Sequence, residues 1–252
     1  MRFEDIVETQ DGSLTIRDPA SGECYHSIEG ALLESRELYI NRSGIKERLQ
    51  ESLQVSVLDI GLGLAYNALS TISEWYVHGA CDLIIVSLEK EPELVSQMAG
   101  GLASWQSKWP RLWMEWSLSL KHVTTLPETD LDPSYLTKLI HPQTKKVCEW
   151  KILIGDAAHI NALPMTFDFF WQDPFSPEKN PELWSSKWFA LLIRYSNPQA
   201  VLMSYSVARK TKDALTQGGF QVQRMETPTR KKHWLKATAL GKEVKDLAPK
   251  TL

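Results

Sequence analysis

An α/β fold on a mostly parallel sheet, closed at one edge by an antiparallel hairpin, is what the sequence predicts. Three observations carry this reading. Apolar β-leaning runs alternate with helical periodicity from residue 54 to about residue 218. The run TFDFFWQD (166–173) is apolar over most of its length, as expected of a strand covered on both faces. The last two β-leaning runs, FQVQRME and KHWLKATAL, follow one another with no helix between them, so they pair as an antiparallel hairpin at one edge. With 252 residues and 43% hydrophobic content, the chain can bury the core of one large α/β domain or two small ones.

The elements follow in order. SLTIRDPASGECYHSI has two β-leaning stretches around a DPASGE turn and reads as a hairpin. GALLESRELYINRSG has the apolar spacing of a three-turn helix ending near Gly44. Residues 1–44 are therefore expected to form an extension, and 45–252 the main domain. QVSVLDI (54–60) is a strand, LAYNALSTISEWYVHG a helix stopped by Gly79, and CDLIIVSLE (81–89) a second strand. A helix starts near Glu91; the tryptophan-rich stretch 105–120 is ambiguous, with Trp105, Trp109, Trp113 and Trp116 recurring at helical spacing and read as packing residues. DPSYLTKLIHP reads as a short helix, and EWKILIGD (149–156) and TFDFFWQD as strands. Asn180 followed by Pro181 suits the start of a helix running to about Tyr195. QAVLMSYS (199–206) is a strand, and the helix behind it stops at Gly218-Gly219.

Composition narrows the function. The formal charge is −3, but the distribution is uneven. Eight Lys or Arg stand against two acids between Arg209 and Lys236, and nine acids against three basic residues over 1–40. The basic part suits a local polyanion contact, with a solvated face as the alternative. Cys24, Cys81 and Cys148 form no CxxC pair, which predicts a reduced, cytoplasmic setting and no metal site. The polar, acidic start MRFEDIVETQ does not read as a leader, and no apolar run is long enough to span a membrane.

The chemistry concentrates at strand ends. In VLDIGLGLAYNAL, Gly61 and Gly63 allow a sharp turn and close approach of a ligand before the helix. Asp59, at the end of that strand, can accept from a ligand amine. A dinucleotide site would want a third glycine where Tyr66 stands, and a phosphate beside Asp59 would be repelled. A zwitterionic ligand with a cationic amine fits better, which favours S-adenosylmethionine over NAD. Glu89 ends the next strand 26 residues after Gly63, where a ribose hydroxyl pair is gripped. Asp156 is placed to accept from an adenine amino group, and Asn67 and Ala157 complete the expected cofactor residues. Carboxylates at three strand ends make a site.

At the end of TFDFFWQD stand Asp173, Pro174 and Phe175. This block is similar to the (D/N)PP(Y/F) motif of amino-group methyltransferases, and the strand–helix order resembles the seven-stranded class I fold of S-adenosylmethionine-dependent methyltransferases. An amine must present its lone pair in line with a sulfonium methyl. Asp173 can orient its N–H bonds and stabilise the charge arriving on nitrogen, Pro174 stiffens the turn, and Phe175 offers a stacking surface. An alkylamine has a pKa on the order of 10, so neutralising it at pH 7 costs about 4 kcal/mol. Desolvation and the nearby sulfonium work toward the neutral amine, while Asp173 works against it.

More specifically, ECYHSIEGALLESRELYI, LDIGLGLAYNAL, VSLEKEPEL, ILIGDA, DPFSPEKNPELW and ALTQGGFQVQRMETPTRKKHWL occur in the order of one family. They resemble the methyltransferase domain of the bacterial tRNA 5-methylaminomethyl-2-thiouridine biosynthesis proteins and its stand-alone relatives. The glycine loop departs from the glycine-richer FGTGLN-like form more frequent there. The resemblance implies methylation of an aminomethyl group on the wobble uridine of tRNA, with the anticodon region as partner and neither DNA nor membrane involved. It implies S-adenosylmethionine as cofactor, with no metal and no flavin, the chain ending at residue 252 where two-domain members continue into an oxidase. It also implies substrate-side roles for Glu34 and Arg36, while Arg230, Lys231 and Lys232 in the last turn would meet tRNA phosphates. Methylation of another amine (in a protein, a small molecule or a DNA base) and a non-catalytic binding role remain the alternatives.

Overall fold

Five parallel strands form the middle of the large sheet in the computed structural model, which describes residues 6–123, 134–227 and 233–240. They are β3 (Gln54–Ile60), β4 (Asp82–Glu89), β7 (Val147–Ile154), β8 (Phe167–Gln172) and β9 (Ser196–Ser204). An antiparallel pair flanks them on each side: β5 (Lys121–Val123) with β6 (Ser134–Ile140), and β10 (Phe220–Glu226) with β11 (His233–Ala239). The spatial order among the described residues is β10-β11-β9-β8-β3-β4-β7-β6-β5. β3 lies between β4 and β8, so the chain's path across the sheet reverses there. Open α/β sheets hold ligands outside the carboxyl ends of the strands at such a point.

The sheet separates two apolar layers. Val57, Ile85, Trp150 and Trp171 face one cluster, and Leu58, Val86, Leu153 and Phe170 the other. Both faces of β8 are therefore buried, which accounts for its nearly unbroken apolar sequence. The first layer contains α3 (Tyr66–His78), α4 (Pro92–Ala99) and α5 (Arg111–Leu118). The second contains α6 (Ser186–Arg194) and α7 (Arg209–Gln217). Trp105, Trp109, Trp113 and Trp116 are all buried in the first layer, as packing residues.

Several elements depart from the sequence-based expectation. DPSYLTKLIHP was expected to be helical, but Ser134–Ile140 is strand β6, paired residue for residue with β7. Pairing with a neighbour outweighs the weak local helical pattern, and β5–β6 extends the expected seven strands to nine among the described residues. Leu14–Ile16 (β2) pairs with Ile6–Glu8 (β1), while the expected hairpin around DPASGE is reduced to one bridge, Arg17 to Cys24. Asn180 makes no side-chain cap; Pro181–Trp184 is a short 3-10 turn, and Ser185 caps α6 by accepting from the Trp188 N–H. The helix after Gly30 begins as α1 (Ala31–Glu34) and widens into a π-helix over Ser35–Ile40. An unforeseen helix, α2 (Ile45–Glu51), follows Gly44. Leu14, Ile16, Leu38 and Tyr39 share the first apolar cluster with Val55 and Leu69, so residues before Gly44 pack into the core of the main domain.

Candidate active site

A cavity of about 400 Å³ opens at the carboxyl ends of β3, β4, β7 and β8. Gly61, Gly63, Glu89, Asp156, Ala157, Asp173 and Phe175 all line it, so the fold brings together seven residues scattered over more than a hundred positions of sequence. Its size suits a nucleoside-sized ligand. Gly61 has φ +82, and a Cβ there would stand 2.8 Å from the Asp173 carbonyl oxygen and 3.0 Å from Pro174 Cα. The turn carrying Asp173 can approach the β3 loop this closely only because residue 61 has no side chain. Gly63 has φ +52, and a Cβ there would lie 3.1 Å from the Tyr25 ring.

Burial and backbone donors tune the carboxylates. Glu89 is only 7% exposed. Its Oε2 accepts from the Gly63 N–H at 2.7 Å, and its Oε1 from the Lys90 and Glu91 N–H groups at 2.8 and 2.9 Å. Burial pushes its carboxyl up to about 6, against the pull of those three amides. A carboxylate has about four acceptor sites, so one remains for a ligand hydroxyl. Asp156 caps the short turn Ala157–His159 through the Ala158 N–H, and Lys90 Nζ stands 3.3 Å from its Oδ2. Burial would raise the Asp156 carboxyl, but the Ala158 amide and Lys90 outweigh it and hold it below the usual range.

Two expected cofactor residues take other places. Asp59 is fully buried and does not line the cavity. Its Oδ2 accepts from Ser87 Oγ at 2.9 Å, while Oδ1 has no partner among the described residues. Burial drives its carboxyl well above the usual range, opposed by Ser87 and reinforced by the charges of Asp173 and Glu89. A cation bound nearby would restore its charge, which suits a ligand amine better than a phosphate. Asn67 lies behind the cavity wall and donates from Nδ2 to Asp173 Oδ2 at 2.7 Å. Its contact in the fold is thus with Asp173.

Around Asp173 the structure adds residues that the sequence pattern did not single out. The Asp173 N–H donates to the Ile60 carbonyl at 3.0 Å, fixing the turn against the end of β3. Tyr205 donates to the Pro174 carbonyl at 2.9 Å, and Trp184 Nε1 to that of Phe175 at 2.8 Å. The Phe175 ring meets Tyr25 at 4.9 Å between centroids. Ser176 donates from its N–H and its hydroxyl to the two oxygens of Glu23, at 3.2 and 2.6 Å. Tyr25, Asp18 and Ser21 on the cavity wall come from the same loop as Glu23, whose sequence carries only a turn signal. Lys179 and Asn180 also reach the wall from the turn after Ser176.

The substrate-side expectations are less concentrated. Glu34 accepts from the Ser27 N–H at 3.2 Å and is off the cavity wall, though its charge acts on Tyr39 and Tyr205 beside Asp173. Arg36 is exposed on the π-helix. Arg230, Lys231 and Lys232 lie outside the described residues. Among the described residues, no group of three or more His, Cys, Asp or Glu is placed to hold a metal, and no helix is long and apolar enough to cross a membrane.

Known proteins place this site in a lineage. Residues 129–239 match the family model described as S-adenosyl-L-methionine-dependent methyltransferase. The crystal structure of MnmC2 from Aquifex aeolicus superposes with a TM-score of 0.70 at 26% identity, covering 97% of this chain and 72% of that one. The tRNA 5-methylaminomethyl-2-thiouridine biosynthesis bifunctional protein MnmC of Azoarcus sp. is 29% identical over 88% of this chain. The chain is thus similar to S-adenosylmethionine-dependent methyltransferases over residues 129–239, and to MnmC over most of its length. The MnmC of Paraburkholderia xenovorans is likewise 29% identical over 82% of this chain. The chain spans about one third of the length of these curated relatives, at 34% and 31%. The fold is the class I fold of these methyltransferases, with the antiparallel C-terminal hairpin expected from the sequence. The glycine-lined cavity, the open acceptor capacity of Glu89 and the Asp59 Oδ1, unpartnered among the described residues, fit S-adenosylmethionine.

Proposed function

We propose that the protein methylates the nitrogen of an aminomethyl group on the wobble uridine of tRNA, with the anticodon region as the bound part. The observation that carries this reading is the Asp173-Pro174-Phe175 turn, held against the glycine cradle in a chain related to MnmC. Bound S-adenosylmethionine would supply an electrophilic methyl on a sulfonium. Gly61 and Gly63 line the part of the cavity where its amino-acid part would lie, Glu89 would accept from the ribose hydroxyls, and Asp156 with Ala157 would border the adenine. Asp59, beneath the loop, would balance the ligand's ammonium.

Asp173 faces the cavity where the acceptor nitrogen would enter. Its carboxylate would take a hydrogen bond from the amine, aim the lone pair at the methyl, and stabilise the positive charge that nitrogen gains. Phe175 and Tyr25 form an aromatic corner beside it, a surface on which a flat base can rest. With the cofactor bound, the same corner would shield the methyl from water and so strengthen the electrostatic effect of Asp173. The basic stretch Arg230, Lys231 and Lys232 is the proposed phosphate contact.

Mass spectrometry of nucleosides from aminomethyl-bearing tRNA, incubated with the protein and labelled methyl donor, tests the proposal. The expected product is 5-methylaminomethyluridine or its 2-thio form carrying the label. Label in a different nucleoside, or none in tRNA, would overturn it.

A further inference from the structure

Behind Asp173 stands a short buried polar chain with no task in the scheme above. Ser35 Oγ donates to Asn67 Oδ1, and Asn67 Nδ2 donates to Asp173 Oδ2 at 2.7 Å. Ser35 and Asn67 are each 1% exposed, and neither lines the cavity. The first bond governs the second. An amide has an acceptor at one end and two donors at the other, so a hydroxyl donating to Oδ1 turns the NH2 toward the carboxylate. The reverse orientation would set an amide oxygen against an anionic oxygen, both acceptors.

The element that supplies Ser35 is itself unusual. The helix beginning at Ala31 widens into a π-helix at Ser35, although SRELYI contains neither glycine nor proline. The Asn41 N–H donates to the Arg36 carbonyl at 2.8 Å, a five-residue span. Single π-turns are often found at functional sites. The same stretch carries Tyr39, fully buried, with its hydroxyl 3.5 Å from the Gln172 carbonyl just before Asp173. Its ring packs on Trp171 of β8 at 5.5 Å between centroids. One π-helix therefore braces the end of β8 through Tyr39 and, through Ser35 and Asn67, the carboxylate that follows it.

We propose that Ser35 is a positioning residue for methyl transfer, acting through Asn67 to hold the Asp173 carboxylate in the orientation that faces the acceptor amine. This rests on the reading of Asp173 given above. Ser35→Ala should lower kcat about tenfold and Asn67→Ala about tenfold to a hundredfold, the scale of a hydrogen bond to a charged group. Affinity for S-adenosylmethionine and KM for tRNA should move little. Ser35→Thr keeps a hydroxyl and should restore most of kcat. In an Asp173→Ala background, Ser35→Ala should cost nothing further, because the group it positions is gone.

The outcomes separate the two ideas. Parental turnover in Asp173→Ala overturns the reading of Asp173 itself. Loss in that variant, with parental kcat in both Ser35→Ala and Asn67→Ala, overturns the positioning role alone. An equal loss from Ser35→Ala with and without Asp173 also overturns it, since packing defects do not depend on the carboxylate. A crystal structure of Ser35→Ala gives a readout independent of turnover. A turned Asn67 amide or rotated Asp173 carboxylate is expected; both groups unmoved would overturn the proposal.

Discussion

The two ends of strand β8 carry carboxylates used in opposite ways. Asp168, one residue into the strand, is 8% exposed and takes four donors. Its Oδ2 accepts from the Ser56 N–H and hydroxyl, both at 2.9 Å, and its Oδ1 from Arg48 at 3.1 Å and Asn197 at 2.9 Å. It ties β3, α2 and β9 to β8 and leaves nothing for a ligand. Asp173, just past the strand, is held by Asn67 from behind and opens onto the cavity in front. Residue type is the same, and the strand between them is buried throughout. What separates a staple from a candidate catalytic group is which end of a parallel sheet it occupies, and whether a cavity opens in front of it.

The largest expected effect breaks the comparison at its active end. Asp173→Ala should lower turnover at least about a hundredfold, the scale for one preorganised polar group. Its affinity for S-adenosylmethionine by calorimetry should stay within a few-fold, and its thermal stability near the parent's. The converse change, Asp168→Ala, should destabilise the fold by about 3 kcal/mol, because buried donors lose their acceptor. Denaturant titration reads that loss, while turnover per folded molecule should be preserved. A reversed pattern for the pair would mean that strand polarity does not divide their roles.

A smaller effect concerns Glu89, which combines features of both ends: saturated in part by backbone amides, yet on the cavity wall. Its carboxyl is raised by burial from the ordinary 4.5 to about 6. In that window the folded, ligand-free protein holds the proton more tightly than the unfolded chain does. Stability should therefore be greatest below the unfolded pKa and fall as pH rises toward about 6, by at most about 2 kcal/mol. Glu89→Gln should flatten that slope in denaturant titrations at several pH values. Binding of S-adenosylmethionine should show the opposite trend, strengthening as the carboxylate forms, and the variant should bind more weakly with little pH dependence through this range. A parental pH profile in Glu89→Gln would remove Glu89 from both roles.

Much of this was readable before the fold. β3 over 54–60, the helix stop at Gly79 and the antiparallel β10–β11 pair follow from local apolar periods and glycine stops. Gly61, Gly63, Glu89, Asp156 and Asp173 were legible because strand ends carrying glycine or a carboxylate stand out against apolar runs. β6 was not legible, since its seven residues acquire strand geometry by pairing with β7. Nor were Tyr25 and Glu23, whose loop looks like any polar turn until it meets Phe175 and Ser176.

By itself, then, the sequence determined the alternation of strands and helices, the glycine turn, the acidic strand ends and the likeness to a methyltransferase lineage. These are properties of residues near one another in the chain, where backbone freedom and side-chain period act over a few positions. Only the tertiary structure decided that Asp59 lies sealed under the loop, that Asn67 serves Asp173, and that a π-helix stands behind both. Ser35 to Asn67 spans 32 residues and Asn67 to Asp173 spans 106. Contacts at that separation depend on which strands become neighbours, and burial fixes that choice across the whole sheet at once.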